Sequence, residues 1–169
     1  IRLKLCLIGD TQTGKTSFLS RLQFDTFSED YQPTVGIDFM GKTQTFMNHT
    51  VRLQLWDTAG QERFRSLTPS YLNESSGVLI FYSIYNRASF DSLRGWHQIS
   101  NEVSGEKPTI FVGMKSDLEA RRTVTYEEGK RLADECKAFF IEASAKDGSN
   151  IGVAVDCLLG GILRAKSLV

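Results

Sequence analysis

Between an apolar run, Leu3 to Gly9, and a helix-period segment starting near Lys15, the chain reads Gly9-Asp10-Thr11-Gln12-Thr13-Gly14-Lys15-Thr16. The octet fits GxxxxGK[ST] where that pattern carries meaning, after a strand and ahead of a helix. A polyphosphate needs several convergent donors held in place. A loop turning into a helix N-terminus supplies them as backbone N–H groups backed by the positive end of the helix dipole. Residues Gln12, Thr13 and Gly14 then cradle phosphate, the Lys15 ammonium reaches the outer phosphates, and the Thr16 hydroxyl is a hard oxygen ligand for Mg²⁺.

The rest of the chain repeats this strand-then-helix rhythm. Apolar runs of strand length recur at LKLCLIG (3–9), VRLQLWD (51–57), GVLIFYS (77–83), TIFVGMK (109–115) and AFFIEA (138–143). Most are nearly continuous in apolar residues, as strands covered on both faces are, whereas VRLQLW alternates like an edgeward strand. DFMGKTQTFM (38–47) reads as its antiparallel hairpin partner, joined through Asn48-His49. Helix-period segments run from about Lys15 to Gln23, Ala88 to Val103, Tyr126 to Cys136 and Ile151 to Ser167. The last carries Gly160-Gly161 in its interior, at about 1 kcal/mol each relative to Ala, so its end is expected to fray. The alternation predicts an α/β fold around a largely parallel sheet. Two polar stretches, Asp25 to Gly36 and Thr58 to Ser70, fit neither pattern and read as loops that move.

Composition bounds the function classes. At 169 residues, with 41% hydrophobic and 24% charged, the chain is of single-domain size and buries a full core without disulfides or structural metal. Twenty Lys and Arg balance 20 Asp and Glu, and the longest basic block is Arg121-Arg122, which argues against nucleic-acid binding. Cys6, Cys136 and Cys157 are odd in number and widely spaced, predicting neither a disulfide framework nor a CxxC site, and a reducing compartment. The longest strongly apolar stretch, Gly77 to Ile84, falls short of the ~20 residues of a membrane helix, and no signal peptide is present, so the sequence reads as soluble. Opening at Ile1 within an apolar strand, it reads as the core of a longer protein.

Three further groups carry chemistry. Asp57 closes its strand ahead of Thr58-Ala59-Gly60-Gln61-Glu62; an acid there suits a water-bridged Mg²⁺, and Gly60 permits close backbone approach to a γ-phosphate. Gln61 is the candidate catalytic residue, since an amide can accept from an attacking water and donate to a phosphoryl oxygen. Lys115-Ser116-Asp117 and Ser144-Ala145-Lys146 both follow strands, at the end where open α/β sheets bind ligands. A carboxylate there accepts from the N1–H and N2–H₂ edge of guanine, a pair adenine lacks, which disfavours a general ATPase or kinase.

With these pieces in order, the chain resembles a small GTPase of the Ras superfamily, most like the Rab family, over essentially its whole length. The general pattern is carried by Gly9 to Thr16, Thr34, Asp57 to Gln61, Lys115-x-Asp117 and Ser144-Ala145-Lys146. The Rab-type pattern is carried by Gly36-Ile37-Asp38-Phe39, Arg52 to Trp56, Arg63-Phe64-Arg65-Ser66-Leu67-Thr68 and Ser89-Phe90. The resemblance implies a P-loop G domain over 1–169, a six-stranded, mostly parallel sheet with one antiparallel strand and helices on both faces. It also implies GTP or GDP with Mg²⁺ as cofactors. Thr34 would meet Mg²⁺ and the γ-phosphate in the triphosphate state only, and Ser17 the α-phosphate. Phe27 would stack on the base, Ala145 would offer its N–H to guanine O6, and Lys146 would pack near the base. Phe39, Trp56 and Tyr71 would form an exposed aromatic triad read by effectors. An activating protein would supply an arginine to an intrinsically slow site, and an exchange factor would act on it. The resemblance further implies prenylated C-terminal cysteines, absent from this sequence, and a cytoplasmic protein that, if prenylated at full length, cycles to the cytosolic face of intracellular membranes in vesicle traffic.

The departures from the family pattern are specific. Met114 stands where the base-reading motif has Asn, which predicts loss of a donor to guanine N7 and of a strap between base loop and phosphate loop, hence fast nucleotide release. Gln12 replaces a small residue and is expected to crowd the γ-phosphate or the approach of an activating protein. Tyr71-Leu72-Asn73-Glu74-Ser75 lacks the usual Arg-Gly, and Ser83 replaces the usual Asp. Met114 and Gln12 together support a rival reading, a scaffold that keeps the fold with impaired or unusually fast nucleotide exchange.

Overall fold

The computed structural model describes residues 1–24, 37–58 and 69–169. Six strands, β1 (Arg2–Gly9), β2 (Ile37–Phe46), β3 (His49–Thr58), β4 (Gly77–Ser83), β5 (Thr109–Met114) and β6 (Phe139–Ala143), form one sheet in the order β2-β3-β1-β4-β5-β6. Every neighbouring pair is parallel except β2 with β3. The helices are α1 (Lys15–Phe24), α2 (Pro69–Leu72), α3 (Arg87–Asp91), α4 (Leu93–Ser104), α5 (Tyr126–Glu135) and α6 (Ile151–Ala165).

Alternation along the strands separates two cores. Leu5, Leu7, Leu79, Phe81 and Val112 point to the layer formed by Phe18 of α1 and Ala154, Leu158 and Ile162 of α6. Cys6, Ile8, Val78, Ile80, Tyr82 and Phe111 point the other way, onto Leu93 and Trp96 of α4 and Leu132 and Ala133 of α5. Both sheet faces are therefore covered, which is why the central strands read as unbroken apolar runs. Among the described residues no helix is long and apolar enough to cross a membrane.

Three local expectations need correction. The hairpin turns through Met47-Asn48, with φ of 47° and 67°, and not through Asn48-His49; two consecutive left-handed residues give the primed turn that matches strand twist. The segment predicted as one helix over 88–103 is two, α3 and α4, parted at Ser92, whose hydroxyl lies 3.1 Å from Ala88 O and 2.9 Å from Asp10 Oδ2. Such back-bonding competes with the helical ladder. Finally, α6 ends at Ala165, short of the Ser167 predicted, and is regular through Gly160-Gly161. A Cβ at Gly161 would lie 2.4 Å from the Phe139 ring, so this glycine lets the helix press onto β6, and the packing offsets its poor propensity.

β1 is flanked by β3 on one side and β4 on the other: after β1 the chain first builds β2 and β3 on one side and then crosses to β4 on the other. Such a reversal opens a crevice at the carboxyl end of the strands. Gly9 ends β1 there, which delivers the Gly9 to Thr16 loop to the crevice mouth.

Candidate functional site

The loop after β1 is shaped by backbone positions that few residues tolerate. Gly9 and Gly14 have φ of 142° and 102°, and Gln12 has φ 61°. A Cβ at Gly9 would meet the Phe81 carbonyl at 2.5 Å, so only glycine lets β1 pass this close to β4. The buried Thr13 hydroxyl donates to Asp10 O at 2.8 Å, and Phe18 N–H to Gly14 O at 2.8 Å starts α1. Lys15, itself buried, folds over the loop: its ammonium donates to Gly9 O at 2.9 Å and Asp10 O at 2.7 Å. Two carbonyls thus hold the cation at the loop mouth.

Asp57 is fully buried at the end of β3, and its Oδ2 accepts from the Thr16 hydroxyl at 2.6 Å. A hydroxyl and a carboxylate in contact are a hard-oxygen pair of the kind Mg²⁺ prefers. The geometry brings together the two described residues predicted for the metal. Ser17 sits half-buried on α1 beside them. Thr34, Phe27, Gly60 and the catalytic candidate Gln61 lie outside the described residues.

The predicted base side assembles from two strand ends. The Ser144 hydroxyl, buried, donates to Asp117 Oδ1 at 2.7 Å and accepts Asp147 N–H at 3.2 Å. Asp117 is thereby aimed from below while staying exposed. Ala145 is buried and Lys146 exposed. The Asp147 carboxyl is held below its ordinary range, chiefly by hydrogen bonding from Ser149 and least by the charge of Arg21.

The strap predicted to be lost with Met114 is present in another form. Lys115 Nζ donates to Gln12 O at 2.7 Å and to the Tyr85 hydroxyl at 3.1 Å, and lies 4.8 Å from the Tyr85 ring centre. Base loop and phosphate loop are therefore tied through a main-chain carbonyl. Met114 is 1% exposed and packs beneath Gly14, where an added Cβ would meet its Cε at 3.3 Å and its Cβ and Cγ at 3.5 Å. A flexible thioether fills this gap where a shorter amide would leave one. Gln12 is exposed, and its structural contribution is the carbonyl that Lys115 grips.

The aromatic triad is also corrected. Phe39 and Trp56 face each other across β2 and β3 with ring centres 5.4 Å apart, and Phe39 is 56% exposed. Tyr71 is 4% exposed: its hydroxyl donates toward the carbonyls of Trp56 and Leu7, which draws the ring down onto the sheet end. Its ring stands edge-on to Trp56 with ring centres 6.5 Å apart, so it supports the pair from beneath.

Sequence reasoning missed two residues. Asp10 carries a negative charge into a loop suited to anions, yet its carboxylate is turned away, accepting Trp96 Nε1–H at 2.8 Å and the Ser92 hydroxyl at 2.9 Å. Arg21 of α1 donates to the carbonyls of Ala145 and Lys146. No local pattern announces either contact. A family model described as the Ras family matches residues 4–163.

Proposed function

The chain belongs to the Ras family and is a small GTPase, a switch that binds and hydrolyses GTP, and we propose that within this family it is of Rab type and regulates vesicle or membrane traffic. The observation that carries the Rab-type reading is the Phe39–Trp56 pair. A large aromatic 56% exposed at the sheet edge, backed by a second ring, is the sort of anchor that protein interfaces bury. In the chain the two flank the segments that the switch must order, Phe39 following 25–36 and Trp56 preceding 59–68. Effectors would read this pair in the GTP state, with Tyr71 holding it up from below.

The donor set fits Mg²⁺, which when bound neutralises phosphate charge and polarises the reacting phosphoryl oxygens. Thr16 would ligate it directly and Asp57 through water or directly, exchanging their present mutual hydrogen bond for the ion. Lys15 would leave the Gly9 and Asp10 carbonyls for the β- and γ-phosphates, while Gln12, Thr13 and Gly14 wrap them with N–H groups. Asp117, held by Ser144, accepts from the guanine edge, and Ala145 donates to O6. Lys115 and Lys146 cover the base, Phe27 stacks against it and Ser17 meets the α-phosphate. Thr34 closes on metal and γ-phosphate, and Gln61 orients the water. Hydrolysis would be slow until an activating protein adds an arginine in trans. An exchange factor reloads the site, and the protein, if prenylated at full length, cycles to the cytosolic face of intracellular membranes.

Against the scaffold reading stand the Lys115 tie between the two loops and the packing of Met114 beneath Gly14. The Rab-type reading is tested by expressing Gln61→Leu and Thr16→Asn forms of the full-length protein and timing the transit of a secretory cargo. A delay with one or both forms is expected. Unaltered transit with both, at matched expression, contradicts it.

A further inference from the structure

Arg21 lies in the second half of α1, away from the phosphate loop, and reaches across to the base loop. Its Nε donates to Ala145 O at 2.7 Å and its Nη2 to Lys146 O at 2.5 Å, across 124 and 125 residues of sequence. The guanidinium is a rigid planar fork, so two of its N–H groups on consecutive carbonyls fix two peptide planes at once. In a trans peptide the C=O and the following N–H point opposite ways within one plane. Turning the Ala145 and Lys146 carbonyls toward α1 therefore sets where the N–H groups of the next residues face.

The residue before is fixed from the other direction. Ser144 O accepts Gly148 N–H at 2.9 Å, which orients the peptide carrying the Ala145 N–H. Ala145 is thus pinned on both sides, by the loop itself and by Arg21. An N–H that must meet one oxygen of a base gains most from such pinning, since a loose loop would have to order on every binding event.

We propose that Arg21 is a positioning residue for base recognition, holding the Ala145–Lys146 backbone so that the Ala145 N–H meets guanine O6. The proposal rests on the base reading given above, that Ala145 reads O6 while Asp117 reads the neighbouring N1–H and N2–H₂. Arg21 touches no nucleotide atom in this scheme; it acts through the backbone. A merely structural staple between α1 and the loop would instead support every nucleotide equally.

Three diphosphates separate these roles. GDP carries the full guanine edge. Thioguanosine diphosphate has sulfur, a weak acceptor, in place of O6 and keeps the edge that Asp117 reads. Inosine diphosphate keeps O6 and N1–H and lacks only the exocyclic amine. Their affinities for the purified chain are measured by competition at fixed Mg²⁺. Wild type is expected to prefer GDP over the thio analogue by about tenfold, the worth of one good hydrogen bond. In Arg21→Met, GDP and inosine diphosphate should weaken by a common factor of about five to ten while the thio analogue changes little, so the preference collapses. Arg21→Lys, a point cation able to hold one carbonyl, should restore part of it. Equal weakening of all three ligands in Arg21→Met, or no weakening, overturns the proposal. If Arg21→Met does not fold, Arg21→Lys decides: a reduced preference supports the role and an unchanged one overturns it. A wild type indifferent to O6 sinks the base reading itself and this proposal with it, a failure visible before Arg21 is altered.

Discussion

The Thr16 hydroxyl donates to Asp57 Oδ2 across 2.6 Å, joining the first turn of α1 to the end of β3 over 41 residues of sequence. A divalent ion would find its hydroxyl and carboxylate already together. Thr16→Asn replaces the hydroxyl with an amide, a poorer ligand, at the spot where the triphosphate depends on metal more than the diphosphate does. GTP affinity should fall about tenfold further than GDP affinity, measured by displacement of a fluorescent nucleotide at saturating Mg²⁺. Equal losses for the two would separate Thr16 from the metal.

Asp10→Ala removes the acceptor facing the indole N–H of Trp96 and the partner of Ser92. Loss of a charge-assisted acceptor inside a packed face is expected to cost about 1 to 3 kcal/mol in urea unfolding. GDP release should accelerate as well, because the carboxylate fixes the position of residue 10, whose main-chain carbonyl, retained in the variant, anchors Thr13 and Lys15. Asp10→Asn keeps an acceptor for the indole and should recover most of the stability. If Asp10→Ala unfolds at the same urea concentration as wild type, the carboxylate is not a tie between α4 and the loop.

Adjacent glycines in α6 should respond with opposite signs. A Cβ at Gly160 meets nothing nearer than the Arg164 guanidinium at 3.5 Å, so Gly160→Ala should stabilise by about 0.5 to 1 kcal/mol through helix propensity. At Gly161 the new carbon would sit 2.4 Å from the Phe139 ring, and overpacking of about 1 to 3 kcal/mol should outweigh the same gain. Thermal melts of the two variants, shifted in opposite directions, are the expected outcome; a shift upward in both would show that Phe139 moves aside freely.

These pairs mark what the sequence can and cannot tell. The layered sheet was legible because apolar runs of strand length alternate with helical periods, and the phosphate loop because its glycines and lysine sit within eight consecutive residues. Asp10 with Trp96 and Arg21 with Ala145 are 86 and 124 residues apart, and no local periodicity encodes such pairings. Gly161 shows the same limit: propensity counts the missing side chain, while the benefit lies in Phe139 on another element. The resemblance to Rabs implies an exposed Tyr71; its hydrogen bonds to backbone carbonyls explain its burial.

The strap that the resemblance places at position 114 is carried here by Lys115. Met114→Asn should change the GDP off-rate by less than about tenfold, since the tie between the loops is already made by Lys115 and Gln12. It should lower stability, because an amide replaces a thioether packed at 1% exposure beneath Gly14. Lys115→Ala should speed GDP release by about tenfold or more. Stopped-flow release from both variants at one Mg²⁺ concentration gives the comparison, and the reverse ranking would return the strap to position 114.

The most direct measurement is a titration of the purified chain with GTP, GDP and ATP, each with Mg²⁺ and with the ion chelated. If Asp117 and the Ala145 loop read guanine while Thr16 and Asp57 hold the metal, GTP and GDP bind far more tightly than ATP. Chelation then weakens GTP more than GDP. Comparable binding of ATP, or GTP affinity indifferent to Mg²⁺, would contradict the site assembled here from the ends of β1, β3, β5 and β6.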